Sequence, residues 1–525
     1  MSNQTDNSAA SPLLSRSKDE SRQEVHTTPV IIASVVNTSP AKSKDQSNDQ
    51  PNEYRFVHQR IPPRTGNLKF LLSILLLGFQ VLFIILFALF ANYSDKADNS
   101  KYPVYEDLHA IALLGFGFIM TFLKRYGYGS IGFNLLLVAF VIQWSLLVRG
   151  WFASSSDQMF NFGINLESLI NADYTVIAVL VSLGALLGKT SLAQLLIVAF
   201  IEVMAQVVNE FVNLRVLNVY DIGLSMHVHL FGALFGLAVS KFLHFHGVKS
   251  QKQAPVYHSD LFALIGTLFL WVYYPSFNSL LSTGADRQNR AIVNTLAAIS
   301  ASCVVTFGIS SLAGKGKLNV LHVQHATIAG GIAIGSVADL RVQVYIALIV
   351  GSFAGLISTI GYKYIDPLLT RVGKLHDTCS VQSLHGFPGL IAGVVSAIFA
   401  ACSTFGEYKH ELYEIYPARV PMVNSTEFFD QEILTENGKG RSGLEQAGFQ
   451  LIAIAITVGI SLVAGAITGL LLRLPLFEQL NEDVEMFDDE AQWVTPDDYA
   501  LKLTFANQHS EEEKKADDNQ HEDTK

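Results

Sequence analysis

The feature that most constrains this chain is a series of long apolar segments, each able to cross a lipid bilayer. A transmembrane helix needs about 20 mainly apolar residues, and twelve segments of the sequence approach or meet this length. They lie at about 68–92, 105–123, 130–150, 172–189, 191–212, 221–243, 258–281, 291–313, 319–339, 343–365, 380–402 and 446–473. Because helices satisfy their own backbone groups in lipid, the pattern predicts an all-α polytopic membrane protein.

The composition agrees with a membrane protein. Half of the 525 residues are hydrophobic and only 16% are charged, whereas soluble domains carry about 25% charged residues. The three cysteines have neither metal-site spacing nor a disulfide pattern. The formal net charge of -10 owes much to the acidic C-terminal end. The sequence therefore predicts a lipid bilayer as surroundings, with no cofactor and no nucleic-acid partner.

The two ends of the chain differ from its middle. Residues 1–66 are rich in Ser, Asn, Gln, Asp and Lys, a composition that cannot bury enough apolar surface to fold. We therefore predict a disordered N-terminal tail, a transmembrane domain at 67–475 and an acidic, mostly unfolded C-terminal tail at 476–525. No basic stretch leads into an apolar run at the start, so we expect the first span to be internal.

The even number of spans places both termini on one side of the membrane. Lys and Arg are more frequent in the loops that then lie on the same side as the termini, which predicts cytoplasmic termini. Two glycosylation sequons, at Asn92 and Asn424, fall in the predicted outer loops. We expect both asparagines to be candidates for N-glycosylation.

Two segments share a spacing of eight residues between an aspartate and a histidine. In "HDTCSVQSLHGFPG" (376–389) these are Asp377 and His385, and in "DIGLSMHVHLFG" (221–232) they are Asp221 and His229. The two predicted spans are five spans apart and run in opposite directions, which fits an inverted-topology repeat. Such repeats bring their functional groups together near the bilayer midplane, so we predict that His229 and His385 line one pore.

Each of these residues also has a structural interpretation. An aspartate at a helix start caps free backbone N–H groups, and a buried histidine is often only a hydrogen-bonded core residue. His227 competes with His229 for the pore, because two residues turn a helix by about 200°. Glu202 and Glu210 are further intramembrane acids, of which Glu210 lies near the outer end of its span.

Paired neutral imidazoles suit a particular class of solute. Burial disfavours the charged form of histidine, and two neutral rings share one N–H to N hydrogen bond. Each ring then offers a weak polar edge to a passing molecule. The expected cargo is small, neutral and able to form hydrogen bonds, or becomes neutral by losing a proton.

At these residues the sequence resembles the Rh glycoproteins within the ammonium transporter family. The matching segments are "GFGFIMTFLKRYG" (115–127), "FGALFGLAVS" (231–240), "SDLFALIGTLFLWVYYPSFNS" (259–279), "HATIAGGIAIG" (325–335) and 376–389. The resemblance covers about 68–475. It implies a plasma-membrane homotrimer with one pore per subunit, formed by an eleven-helix core of two inverted repeats plus one extra N-terminal span.

The resemblance also implies which residues line the pore. The twin pore histidines of the family correspond to His229 and His385, and the acids at the helix starts to Asp221 and Asp377. The stacked phenylalanine gate that the family has at the outer mouth corresponds to Phe277 and to Tyr174, where this chain departs from the usual Phe. Glu210 matches an acid of the outer vestibule. The implied function is ammonium recruitment, deprotonation and conduction of neutral ammonia, without enzymatic catalysis.

Three alternatives remain open from the sequence. An apolar pore would also admit another small gas such as carbon dioxide. A chain that keeps the fold could be a structural or sensing protein without conduction, and Tyr174 keeps this interpretation open. A membrane metalloenzyme would need several clusters of close histidines, whereas this sequence offers only three close pairs, at 227/229, 244/246 and 322/325.

Overall fold

The computed structural model describes residues 70–95, 98–154, 160–243, 251–423, 425–426, 438–474, 476–477, 479–482 and 484–496. Regular structure in these residues is almost entirely helical. Eleven of their helical segments, some of them bent, are long and apolar enough to cross a membrane. These are Leu71–Phe90, Tyr102–Phe122, Gly127–Ala153, Leu166–Leu186, Leu192–Val216, Ser225–Leu243, Tyr257–Ser279, Ala285–Ala313, Val344–Gly373, Gln382–Cys402 and Gly443–Leu472. The predicted all-α polytopic fold is confirmed.

The chain order of the elements is simple. The first half contains α1 (Leu71–Phe90), β1 (Ala91–Tyr93), α2 (Tyr102–Ala110), α3 (Phe116–Ile119), α4 (Gly127–Ala153), β2 (Phe162–Ile164), α5 (Leu166–Leu186), α6 (Leu192–Glu210) and α7 (Phe231–Leu243). The second half contains α8 (Tyr257–Ser279), α9 (Ala285–Ala313), α10 (Val320–Ala326), α11 (Ala329–Gly335), α12 (Val344–Ile360), α13 (Asp366–Gly373), α14 (Phe387–Cys402), α15 (Phe405–Tyr408), α16 (Glu411–Ile415) and α17 (Gly443–Leu472). The short strands β1 and β2 pair in parallel, with Ala91 opposite Phe162.

Polar side chains fix the starts of several long helices. Asn165 caps α5, Ser191 caps α6 and Ser442 caps α17. In each case the side chain three positions later accepts a hydrogen bond from the backbone N–H of the cap, which completes a capping box. These short polar signals set where an apolar run becomes a helix.

Burial distinguishes the helices at the centre from those at the periphery. The most apolar window of α5 is 89% buried within the protein, and that of the segment Ser225–Leu243 is 83% buried. The corresponding window of α1 is only 6% buried. Helix α1 exposes most of its Leu and Ile side chains, as a helix facing lipid does, while α5 and α7 form the centre that positions the site.

Glycines permit close contact between α9 and α12. A Cβ atom at Gly351 would overlap the carbonyl oxygen of Ala298, and one at Gly355 would lie 2.6 Å from the carbonyl oxygen of Ser302. The two glycines are four residues apart, so they form one groove along α12. This is the small-residue packing that membrane helices use to approach one another.

The ninth predicted span differs from its expected form. The sequence predicts one span at about 319–339, but the structure contains two seven-residue helices, α10 and α11, that together cover only Val320–Gly335. A turn at Thr327 and Ile328 separates them. Helix α11 is rich in glycine, and at Gly330 a Cβ atom would overlap the backbone of α9. Close backbone approach is therefore favoured here over a regular full-length span.

Part of the segment assigned to the C-terminal tail packs against the helix bundle. The backbone N–H of Phe487 donates to the carbonyl of Gly188 over 2.8 Å, and Phe487 is fully buried. The Asp489 carboxylate accepts hydrogen bonds from the N–H groups of Tyr128 and Gly129 at 2.8 and 2.7 Å. Residues 484–493 thus bind to the connection between α5 and α6 and to the first turn of α4, whereas residues 1–69 and 497–525 lie outside the described residues.

Candidate functional site

The two segments with matching Asp–His spacing also share their local backbone structure. In each, the residue three positions after the aspartate has a left-handed conformation, with φ of 50° at Leu224 and 53° at Ser380. A π-helical turn follows, Ser225–Leu230 in one segment and Gln382–Gly386 in the other. An α-helix then begins directly, α7 or α14. π-helical turns of this kind occur frequently at functional sites.

The predicted pairing of the two histidines is present. Nδ1 of His229 lies 3.1 Å from Nδ1 of His385, and the ring centroids are 5.1 Å apart with an interplanar angle of 11°. Both residues are buried, at 1% and 5% exposure. Each histidine sits on the π-helical turn of its own segment, so the repeated local structure brings the Nδ1 edges of the two nearly parallel rings together.

His227 and His229 have different partners, because His227 contacts Asp221 and His229 contacts His385. Nδ1 of His227 lies 2.7 Å from Oδ2 of Asp221, and His227 is fully buried. The same carboxylate accepts backbone N–H groups of Ser225 and Met226, each at 2.9 Å. Asp221 therefore caps the π-helical turn and holds His227 away from the histidine pair. Asp377 acts similarly in the other segment, because its Oδ2 accepts the N–H of Gln382 at 3.0 Å.

Aromatic rings continue the histidine pair in both directions. Phe277 lies 5.3 Å from His229 and 5.0 Å from Tyr174 between ring centroids. On the other side, Phe116 stacks on His385 at 6.0 Å. We refer to Tyr174, Phe277, His229, His385 and Phe116 as the central column; all five residues are buried.

Tyr174 and Phe277 meet edge to face, and the added hydroxyl has a partner. Their interplanar angle is 78°, so the rings are not stacked as the resemblance implies. The hydroxyl of Tyr174 donates to the carbonyl oxygen of Phe277 at 2.6 Å. Phe277 lies in the last turn of α8, where carbonyl groups lack a partner within the helix. Tyr174 thus gives the Phe277 carbonyl a hydrogen-bond partner that a phenylalanine at this position would not supply.

Two pairs of ionisable side chains lie near the Tyr174 end of the central column. Asp173, directly before Tyr174, is buried, and its Oδ2 lies 2.9 Å from Nδ1 of His109. The sequence did not single out this pair. Glu210 binds Arg149 through two hydrogen bonds of 2.9 and 2.6 Å. A guanidinium in this bidentate geometry balances the charge of Glu210, so this carboxylate does not act as an isolated negative charge.

The opposite end of the site contains a buried lysine that the sequence indicates only as a loop charge. Nζ of Lys189 donates to the carbonyl oxygen of His376 at 2.7 Å and to the hydroxyl of Ser240 at 2.9 Å. Burial lowers the pKa of Lys189 to about 7, although the nearby Asp377 acts in the opposite direction. Burial, with a further contribution from Lys189, lowers the pKa of His376 to about 3. Burial also raises the pKa of Asp377.

The remaining candidates lie in packed surroundings. Glu202 is fully buried between helices and lies 2.5 Å from the hydroxyl of Ser182. His325 stacks on Tyr362 at 5.4 Å, and His322 lies 3.0 Å from the hydroxyl of Ser310. Asn92 is exposed on β1, whereas Asn424 and the 244/246 histidine pair lie outside the described residues. Within the described ranges, no three His, Cys, Asp or Glu side chains are arranged to hold a metal ion.

Comparison with known proteins places this geometry in context. Residues 69–493 match the Ammonium Transporter Family. The chain is 41% identical over 453 residues to the ammonium transporter Rh type C of Homo sapiens, covering 82% of this chain and 91% of that protein. It is 39% identical over 450 residues to the ammonium transporter Rh type B of Danio rerio, covering 82% and 94%.

Solved structures share the fold. Rh50 of Nitrosomonas europaea is 27% identical and matches with a TM-score of 0.62, covering 79% of this chain and 98% of that chain. Mep2 of Candida albicans is 17% identical, with a TM-score of 0.56 and coverage of 74% and 88%. The likeness to Mep2 concerns the fold alone.

Proposed function

Because the chain belongs to the Rh branch of the ammonium transporter family, we propose that it is an ammonia channel and not an enzyme. The observation that carries this proposal is the buried hydrogen bond between His229 and His385 in the central column. Two neutral imidazoles in an otherwise aromatic column offer hydrogen bonds without a fixed charge. Such a column suits a small neutral molecule with a lone pair.

The central column also supports loss of a proton before passage. A bare ammonium ion among buried aromatic rings would cost about 3 kcal/mol or more, so the cargo crosses as ammonia. Asp173 and His109 form the titratable pair next to Tyr174, and we assign them the role of proton acceptor on the outer side. The recruiting role predicted for Glu210 needs a net negative charge, which Arg149 offsets; it stays a prediction.

The surroundings of the channel complete the proposal. The apolar helices support a multi-pass protein of a lipid bilayer, and we place it in the plasma membrane with cytoplasmic termini. The homotrimer and glycosylation at Asn92 and Asn424 are kept as predictions. Reprotonation on the inner side follows from the bulk pH there, and the ammonia and proton gradients set the direction of flux.

A flux assay in proteoliposomes tests the function. Purified protein is reconstituted with an internal pH-sensitive dye, and internal pH is followed after mixing with an ammonium salt or with carbon dioxide. We expect faster alkalinisation by ammonia than in empty liposomes. His385→Leu should reduce or alter this flux by about tenfold, the effect of one hydrogen bond of about 1.4 kcal/mol at the barrier.

A matched variant separates the pore from general damage. His258→Leu alters an exposed histidine at the start of α8 and should leave the flux unchanged. Wild-type flux in the His229→Leu/His385→Leu double variant would refute the pore assignment. Carbon dioxide flux that exceeds ammonia flux, with both lost in the double variant, would favour the gas-channel alternative.

A further inference from the structure

Tyr274 contacts the histidine pair from outside the repeated segments. It lies on α8, one turn before Phe277, and is 3% exposed. Its hydroxyl lies 3.0 Å from Nε2 of His229. Its ring centroid is 5.4 Å from that of Phe277 and 6.2 Å from that of His229. Buried tyrosine hydroxyls need a hydrogen-bond partner, and within the described residues His229 is the partner recorded for Tyr274.

This contact engages both ring nitrogens of His229. Nδ1 is occupied by His385 and Nε2 by Tyr274. A neutral imidazole has one protonated nitrogen and one acceptor nitrogen. The direction of the hydrogen bond at Nε2 therefore determines the direction at Nδ1, and with it the position of the proton on His385.

Two arrangements of the protons satisfy these contacts. In the first, the Tyr274 hydroxyl donates to Nε2 of His229, Nδ1–H of His229 donates to His385, and His385 carries its proton on Nε2. In the second, every bond is reversed, and the hydroxyl proton of Tyr274 has no acceptor in the described part of the chain. A neutral imidazole nitrogen is a better acceptor than a phenol oxygen, because it binds a proton with a pKa of about 6.5. The phenol, with a pKa of about 10, is in turn a stronger acid, and so a better donor, than the N–H of a neutral imidazole. The first arrangement is therefore the more stable.

We propose that Tyr274 is a positioning residue that holds the proton of His229 on Nδ1 and thereby makes Nε2–H of His385 a donor to the cargo. The effect on the cargo rests on the proposed function, whereas the position of the proton on His229 does not. Nε2 of His385 makes no hydrogen bond to the described residues, so it remains open to a passing molecule. A donor at this position binds the lone pair of ammonia, disfavours ammonium, which has no lone pair, and gains little from carbon dioxide, a weak acceptor.

Nitrogen NMR tests the proton positions directly. Full-length protein is labelled with ¹⁵N-histidine and ring-¹³C-tyrosine and reconstituted in liposomes without ammonia. Scalar coupling across the Nδ1–H···Nδ1 bond identifies the histidine pair, and proximity to a labelled tyrosine carbon identifies His229. We expect the arrangement with protonated Nδ1 on His229 to exceed the other by about fivefold, the ratio that one net hydrogen bond sustains.

Removing the hydroxyl should abolish this preference. Tyr274→Phe is expected to bring the two arrangements near equal population. The donor arrangement then falls from about five sixths to about half of the molecules, so the ratio of ammonia flux to carbon dioxide flux should fall by about 1.7-fold. Tyr273→Phe is the matched control, because Tyr273 is only partly buried and makes no hydrogen bond to the residues that the structure describes. Tyr273→Phe should change neither the ratio of the two proton arrangements nor the ratio of the two fluxes.

The outcomes separate this inference from the channel function. Near-equal populations in the wild type, or an unchanged ratio of populations in Tyr274→Phe, would overturn the role of Tyr274. The populations in the wild-type protein are measured directly, so they test the role of Tyr274 even if the variant misfolds. A fivefold preference in a protein that conducts no ammonia would support the role of Tyr274 and refute the proposed function.

Discussion

Tyr174→Phe is the substitution that bears most directly on the proposed gate. In the structure the Tyr174 hydroxyl donates to the carbonyl of Phe277 at 2.6 Å, while the two rings meet edge to face. Because the bond ends on the backbone of Phe277, an opening in which the Tyr174 ring moves away breaks it. Its removal therefore destabilises the closed arrangement of the gate and leaves an open arrangement, with the rings apart, largely unaffected.

The size of the effect follows from the loss of one buried hydrogen bond. Such a bond contributes about 1 kcal/mol net, and leaving the Phe277 carbonyl buried without a partner raises the cost to at most about 3 kcal/mol. A loss of about 1 kcal/mol multiplies the open population by about five. Where gate opening limits permeation, ammonia flux through Tyr174→Phe should rise by about fivefold.

Stopped-flow alkalinisation of proteoliposomes measures this rise, with rates normalised to reconstituted protein. Tyr345→Phe is the matched control, since Tyr345 is 62% exposed on α12, and its flux should equal that of the wild type. Flux through Tyr174→Phe at or below the wild-type rate, from protein that elutes as a single species, would refute the idea that this hydroxyl holds the gate closed.

Two further predictions concern packing and the C-terminal segment. Gly351→Ala forces a methyl group against the Ala298 carbonyl and should destabilise the protein by about 1–3 kcal/mol, read as a lower melting temperature in detergent. Gly459→Ala, which has open space, should not lower it. Burial raises the pKa of Asp489 to about 6 from its ordinary 3.8, so the docked segment retains a proton that the free segment loses. Docking of the segment should therefore weaken as pH rises from about 4 to 6 and stay constant above pH 6, and Asp489→Asn should remove this pH dependence. A spin label at Val494 measures the mobility of the segment, and equal mobility at pH 4 and pH 6 would contradict the prediction.

The sequence predicts the helical fold and the histidine pair because both follow from periodic or repeated patterns. Apolar segments of sufficient length determine the spans, and the equal Asp–His spacing in two oppositely directed segments identifies His229 and His385. The same pattern left His227 as a competitor, since spacing alone does not give the helix rotation. Only the contact between His227 and Asp221 decides it.

Other parts of the site depend on contacts between distant segments, which spacing does not encode. The pairing of Glu210 with Arg149 joins residues 61 positions apart, so the acid appears isolated in the sequence. The buried surroundings of Lys189 arise from His376 and Ser240, on two other parts of the chain. The break in span nine follows from backbone contact with α9, although the glycines of α11 give a partial signal.

The repeated segments explain why the histidine pair exists, and Tyr274 explains why it is asymmetric. Each segment has the same local structure: a capping aspartate, a left-handed residue three positions later and a π-helical turn that carries the histidine. Two such turns in opposite orientation place equivalent Nδ1 atoms 3.1 Å apart, and a symmetric pair of this kind has two proton arrangements of equal energy. A phenol bound to only one member removes this equality. In the proposed channel, selection for a neutral base therefore depends on a residue outside the repeat, because the repeat alone cannot determine which histidine presents a donor.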